Sequence, residues 1–153
     1  MKHLELRDVQ FAELTLHTGV GNFRDIEVED LTKHKTDSEE MEITQEACDI
    51  INTAKTERNK IFAVGTTSLK ALETAVTIKG HVNPFKGWTN KFIFPHYDFN
   101  TADALITNFH LPKSPMMMEV AAFAGYDLLM KAYKVAVAEK YRFFTYGDAM
   151  LII

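Results

Sequence analysis

The sequence predicts an α/β fold, an open mixed sheet with flanking helices. Three observations carry that prediction. Short apolar, β-branched runs alternate with helical-period segments along the chain. The connections between them are short, which favours crossovers on one sheet. The 153 residues are 46% apolar and 25% charged, enough chain for one buried core. The expectation is one α/β domain over residues 1–153, itself incomplete.

The elements follow in order. "FAELTL" (11–16) alternates as a strand and ends at His17, and "GVGN" (19–22) is a glycine turn. "FRDIEV" (23–28) is a candidate short strand, and the charged stretch 29–41 reads as a loop. Residues 44–58 place Ala47, Ile50, Ile51 and Ala54 at helical intervals behind Thr44, a plausible N-cap. "KIFAVG" (60–65) reads as a buried strand, and 66–80 as a helix closed by Gly80. "WTNKFIFP" (88–95) is a strand stopped by Pro95, and "DALITNF" (103–109) is another. Ser114-Pro115 opens a helix that runs to Gly125, because proline at the first helical position loses no needed N–H. A second helix covers 127–141, and an apolar, strand-like tail follows, which implies pairing with something.

Composition narrows the function classes. Cys48 is the only cysteine, so no internal disulfide exists, and a reducing, cytoplasmic setting is the natural reading. No long apolar run or signal-type N-terminus is present, so neither a membrane span nor export is expected. The net charge is −4, but residues 1–60 carry −6 and residues 61–153 carry +2. A polyanion would prefer the second half.

Three strand ends share one design: an apolar run stops, polar groups appear, and a turn or helix follows. They are "LTLHTGVGNF", "FAVGTTSLKAL" and "ALITNFHLPKSP". In open α/β sheets, ligands sit beyond the carboxyl ends of strands, where helix N-termini offer free N–H groups. Thr66, Thr67 and Ser68 can bind a ribose, carboxylate or phosphate; Thr66 or Thr67 can equally cap the helix. His17 and His110 can act as general acid or base, or anchor loops as core histidines. Asp148 is a carboxylate in a short loop, open to a turn role. His34 and Asp37 lack a third ligand at metal spacing, so no metal is expected. No nucleophile elbow is present, and Cys48 has no evident histidine partner.

Taken together, "TLHTGVGNF", "HKTDSE", "IFAVGTTSLKALE", "FIFPHYDF", "DALITNFHLPKSP" and "YRFFTYGDAML" resemble the C-terminal half of the S-adenosylmethionine:tRNA ribosyltransferase-isomerases of queuosine biosynthesis. The chain departs from that pattern at Asn22 (usually threonine), Asp37 (usually a second histidine) and His96 (usually glycine). The resemblance implies an α/β domain built from both halves of a chain about twice as long. This chain would start just after the family's proline-threonine-alanine-glycine-leucine-histidine segment. It would hold the later part of that domain, without the inserted β-barrel.

The implied reaction transfers and isomerises the ribosyl part of S-adenosylmethionine onto 7-aminomethyl-7-deazaguanine at the tRNA wobble position. Epoxyqueuosine forms, and adenine and methionine leave. S-adenosylmethionine is then a substrate, and no cofactor or metal is required. The chemistry needs a base beside the sulfonium, a donor for adenine and a grip on the sugar hydroxyls. His17, His110 and Asp148 become candidates for proton handling. Thr66, Thr67, Ser68 and Asn108 become candidates for holding ribose or methionine. Gly19 and Gly21 would admit close backbone approach, and Asn22 is a further substrate-binding candidate. The expected partners are tRNA and S-adenosylmethionine, with either a separate N-terminal half or a second copy pairing at an exposed sheet edge. The alternative is a non-catalytic fragment or module that binds nucleoside or tRNA.

Overall fold

Alternate burial along Glu39–Ile43 makes this segment the middle strand of the first of two three-stranded sheets. The computed structural model describes residues 1–153. A four-residue helix α1 (Lys2–Glu5) precedes β1 (Leu14–Leu16), and Glu39–Ile43 is β2. Helix α2 (Gln45–Thr56) leads to β3 (Phe62–Val64), α3 (Thr66–Ala75) and β4 (Phe85–Thr89). Then come β5 (Ala104–Asn108), α4 (Pro115–Ala124), α5 (Tyr126–Ala138) and β6 (Ala149–Ile152).

The first sheet has the order β1-β2-β4 and is antiparallel throughout. The second has the order β3-β5-β6, with β3 and β5 parallel and β6 antiparallel. The mixed α/β class with flanking helices therefore holds, its strands divided between two small sheets. The apolar tail finds its partner in β5, with Leu151 opposite Ile106.

Local chemistry starts the helices. Thr44 accepts from Ala47 N–H at 3.2 Å, and Ser114 accepts from Met117 N–H at 3.2 Å. Leu69, Leu105, Val120 and Leu129 are completely or nearly enclosed in a core shared by both sheets. Each such side chain contributes about 1.5–3 kcal/mol.

Several expected boundaries move, each for a physical reason. Residues 23–28 form no strand; a 3-10 turn covers Val20–Phe23 instead. The supposed loop 29–41 contains the start of β2, because Glu39 takes an inward position and breaks the apolar alternation. The helix expected over 66–80 stops at Ala75, where the β-branched run Val76-Thr77-Ile78 begins. Gly80, at φ +77°, instead closes a tight turn from Thr77, while Val76 bridges Val82. The strand expected at 88–95 lies at 85–89, drawn there by pairing Thr89 with Glu39 and Phe85 with Ile43. The last helix ends at Ala138. Strand β3 is not buried throughout: Ala63 is inside, but Phe62 and Val64 are 49% and 64% exposed.

Candidate functional site

Parallel pairing places the carboxyl ends of β3 and β5 side by side. Val64 lies opposite Ile106, and Gly65 N–H donates to the Ile106 carbonyl at 2.8 Å. "VGTTS" and "TNFHLP" therefore open at one sheet edge. Gly65 carries φ +93°, a backbone conformation suited to glycine, and turns the chain straight into α3. It is also the helix N-cap, and no side chain caps it. Thr66 and Thr67 are thus not caps, which leaves the first N–H groups of α3 without side-chain partners.

Helix α3 carries a buried polar stripe. Thr66, Lys70 and Glu73, at i, i+4 and i+7, are 3%, 5% and 1% exposed. Lys70 forms an ion pair with Glu39 of β2, both side chains almost fully enclosed. The second oxygen of Glu39 accepts from Gly19 N–H and from the Asn22 amide, each at 2.7 Å. Two elements that the sequence separates, the glycine turn and the "GTTS" helix, are thereby joined through one carboxylate. The 3-10 turn also packs against α4, and Ile26 N–H donates to the Lys113 carbonyl at 2.9 Å.

The glycines of the turn differ. A Cβ on Gly21 would stand 2.6 Å from Asp37 Oδ2, so its missing side chain serves packing. A Cβ on Gly19 would meet nothing nearer than 4.0 Å. Asp37 faces Arg24 at 3.8 Å, and the His34 ring packs on Phe92 at 4.7 Å. Arg24, Asp37 and His34, with Lys33 and Lys35, line a polar groove of about 550 Å³ beside the turn.

The other candidates are placed as follows. His17 follows β1 and is exposed, and its N–H donates to the Glu40 carbonyl. His110 is buried. Its Nε2 pairs with Thr107 Oγ1 at 2.8 Å, and its N–H donates to the Tyr133 hydroxyl at 2.8 Å. Burial pulls its pKa down to about 4, so the ring is neutral near pH 7. The two histidines follow strands of different sheets. Asp148 accepts three hydrogen bonds from Arg142: N–H at 2.7 Å, Nε at 3.0 Å and Nη2 at 2.5 Å. That pairing holds its carboxyl below the usual range. The Asn108 amide donates to the Asp148 carbonyl at 3.1 Å, tying the end of β5 to the start of β6. Phe23 and Phe144 stack at 6.3 Å, so this corner also touches the glycine turn.

Sequence reading missed Glu39, Lys70, Glu73, Tyr97 and Glu119. Glu73 accepts from the Tyr97 hydroxyl at 3.1 Å and from Asn100 and Thr101 N–H, each at 3.0 Å. A signal existed: polar residues spaced as Thr66, Lys70 and Glu73 mark one helix face, and Glu119 interrupts an apolar run.

Comparison with known proteins agrees with this architecture. The family model described as "Queuosine biosynthesis protein" matches residues 1–152. The chain is 60% identical, over all 153 residues, to a Flavobacterium psychrophilum protein named S-adenosylmethionine:tRNA ribosyltransferase-isomerase. It is 58% identical to the Parabacteroides distasonis protein of the same name. In each case the whole chain matches and spans 44% of the relative's length. The crystal structure of a Thermotoga maritima S-adenosylmethionine tRNA ribosyltransferase superposes with a TM-score of 0.81 at 39% identity. That match covers 99% of this chain and 48% of the other.

Proposed function

The chain belongs to the queuosine biosynthesis protein family, and on that premise we propose that it supplies part of an S-adenosylmethionine:tRNA ribosyltransferase-isomerase site. The reaction is the transfer and isomerisation of the ribosyl moiety of S-adenosylmethionine onto 7-aminomethyl-7-deazaguanine at the tRNA wobble position. Adenine and methionine leave as epoxyqueuosine forms.

The observation that best supports this reading is the meeting of the β3 and β5 ends with an uncapped helix start. Thr67 and Ser68 follow there, both half-buried, and their hydroxyls suit ribose oxygens or a carboxylate, whereas Thr66 is buried. Glu39 holds Gly19 and Asn22 against the same helix, which sets the turn before substrate arrives. For proton handling, His17 is the exposed histidine, whereas the His110 ring is already engaged with Thr107. The Asp148 carboxylate serves position, through Arg142.

A second reading, that the chain acts together with a separate N-terminal half, has its own support. Val64, Ile106 and Leu151 lie in register across the second sheet, and Phe62 stands beside them on the same face. Phe62, Val64 and Leu151 are 49%, 64% and 59% exposed. Parallel strands are ordinarily covered on both faces. A covering layer of apolar residues is the occupant that this face suits, and no membrane-length helix is present.

Adenine release from S-adenosylmethionine with precursor tRNA tests both readings, run for the chain alone and with a relative's N-terminal half added. Release only in the second mixture is the expected outcome. No release in either refutes the enzymatic reading.

A further inference from the structure

Assigning the hydrogen-bond donors around the buried carboxyls leaves one carboxyl over. Glu39 is satisfied by Gly19, Asn22 and Lys70. Glu73 is satisfied by Tyr97, Asn100 and Thr101. Glu119 of α4 is only 6% exposed, and its Oε1 is enclosed with no hydrogen-bond partner. Native interiors leave few such atoms unpaired, because desolvation without a partner costs free energy.

The surroundings of Glu119 define what it can accept. Lys70 and Glu73 of α3 and Glu39 of β2 act on it electrostatically, and Tyr97 lies within its field. The Lys70 ammonium is already held by Glu39. Burial, chiefly, raises the Glu119 pKa far above the usual carboxyl range; Lys70 opposes this, and Glu39 and Glu73 add to it. The acidic side chains do not converge as a metal-ion cage. An anion would meet the surplus of carboxyls. A compact organic cation would relieve it.

We infer that Glu119 is the receiving carboxyl for a small organic cation, a sulfonium or alkylammonium centre, held between α3, α4 and the glycine turn. The choice of a sulfonium rests on the function proposed above; the vacant acceptor does not. When the cation arrives, Glu119 ionises against it, and the carboxyl proton leaves to solvent. No covalent bond other than that O–H changes.

Calorimetric titration of the full chain with S-adenosylmethionine, in two buffers of different ionisation heat, tests this. S-adenosylhomocysteine, whose sulfur is neutral, is the control. Wild type is expected to favour S-adenosylmethionine and to release about one proton per site. Glu119→Gln is expected to weaken S-adenosylmethionine about tenfold or more, abolish proton release and leave S-adenosylhomocysteine unchanged. If that variant does not fold by circular dichroism, Glu119→Leu is used with the same expectations.

Unchanged affinity and proton release in the variant overturn the inference, as do equal affinities of the two ligands in wild type. Failure of the wild type to bind S-adenosylmethionine overturns it as well. Adenine release that persists undiminished in Glu119→Gln would sink this inference and leave the proposed function standing. Sulfonium preference without any adenine release would do the reverse.

Discussion

Lys70 and Glu39 meet as an enclosed ion pair, and the free oxygen of Glu39 holds Gly19 and Asn22. One carboxylate therefore connects helix α3, strand β2 and the glycine turn. Such a pair adds little net stability over a well-packed apolar pair, but it fixes geometry. Removing one member strands the other in a low-dielectric interior.

Lys70→Met is accordingly expected to destabilise the fold by about 3–5 kcal/mol. The double variant Glu39→Gln/Lys70→Met should lose less than the sum of the single changes. Urea unfolding of the four proteins measures the coupling. Additive losses would mean that the two side chains act independently.

His110 predicts an acid-side loss of stability. Its folded pKa of about 4 lies below the ordinary histidine value near 6.5, because burial disfavours the charged ring. The unfolded chain therefore takes up the proton first as pH falls. The contribution is whole above about pH 6.5 and declines towards pH 4, by about 3 kcal/mol in all. His110→Gln should remove this part of the pH slope. Parallel stability curves for variant and wild type between pH 7 and pH 4 would contradict the assignment.

Ser114 starts α4 by accepting from Met117 N–H, and its hydroxyl donates to the Leu111 carbonyl at 2.8 Å. Ser114→Ala should cost about 1 kcal/mol, within the range for lost N-caps. Ser114→Asp should recover part of that loss. Chemical denaturation midpoints give the comparison, and an alanine variant as stable as wild type would show that Pro115 alone suffices to start the helix.

How much of this was legible beforehand varies with the kind of signal. Helix starts were readable where a side chain makes them, at Thr44 and at Ser114-Pro115. Helix α3 starts at Thr66 as expected, but its cap is Gly65 and not a threonine, a role that lies in positive φ and not in a polar side chain. Strand β2 was hidden because Glu39 occupies an inward position that pattern reading assigns to apolar residues. The alternation Glu39, Met41, Ile43 becomes visible only once Lys70 is known to face it.

The candidate residues separate in the same way. Residue type leaves His110 open to proton handling or to a core role, and its environment keeps the ring neutral and bonded to Thr107. Asp148 reads as a short-loop carboxylate open to a turn role, and Arg142, six residues earlier, pairs with it. Residue type states what a group can do in water; its neighbours decide what it does in the protein.

By itself, the sequence determined the α/β class, the order of helices α2 to α5, the capped helix starts and the family. These are properties of local periodicity, capping chemistry and residue order, which survive in one dimension. Tertiary structure alone decided that the strands form two sheets, that "VGTTS" and "TNFHLP" share one edge, and that Glu39 joins Lys70 to the glycine turn. The reason is physical. Pairing of distant strands and the desolvation of charged groups depend on which surfaces meet, and no spacing along the chain encodes that meeting.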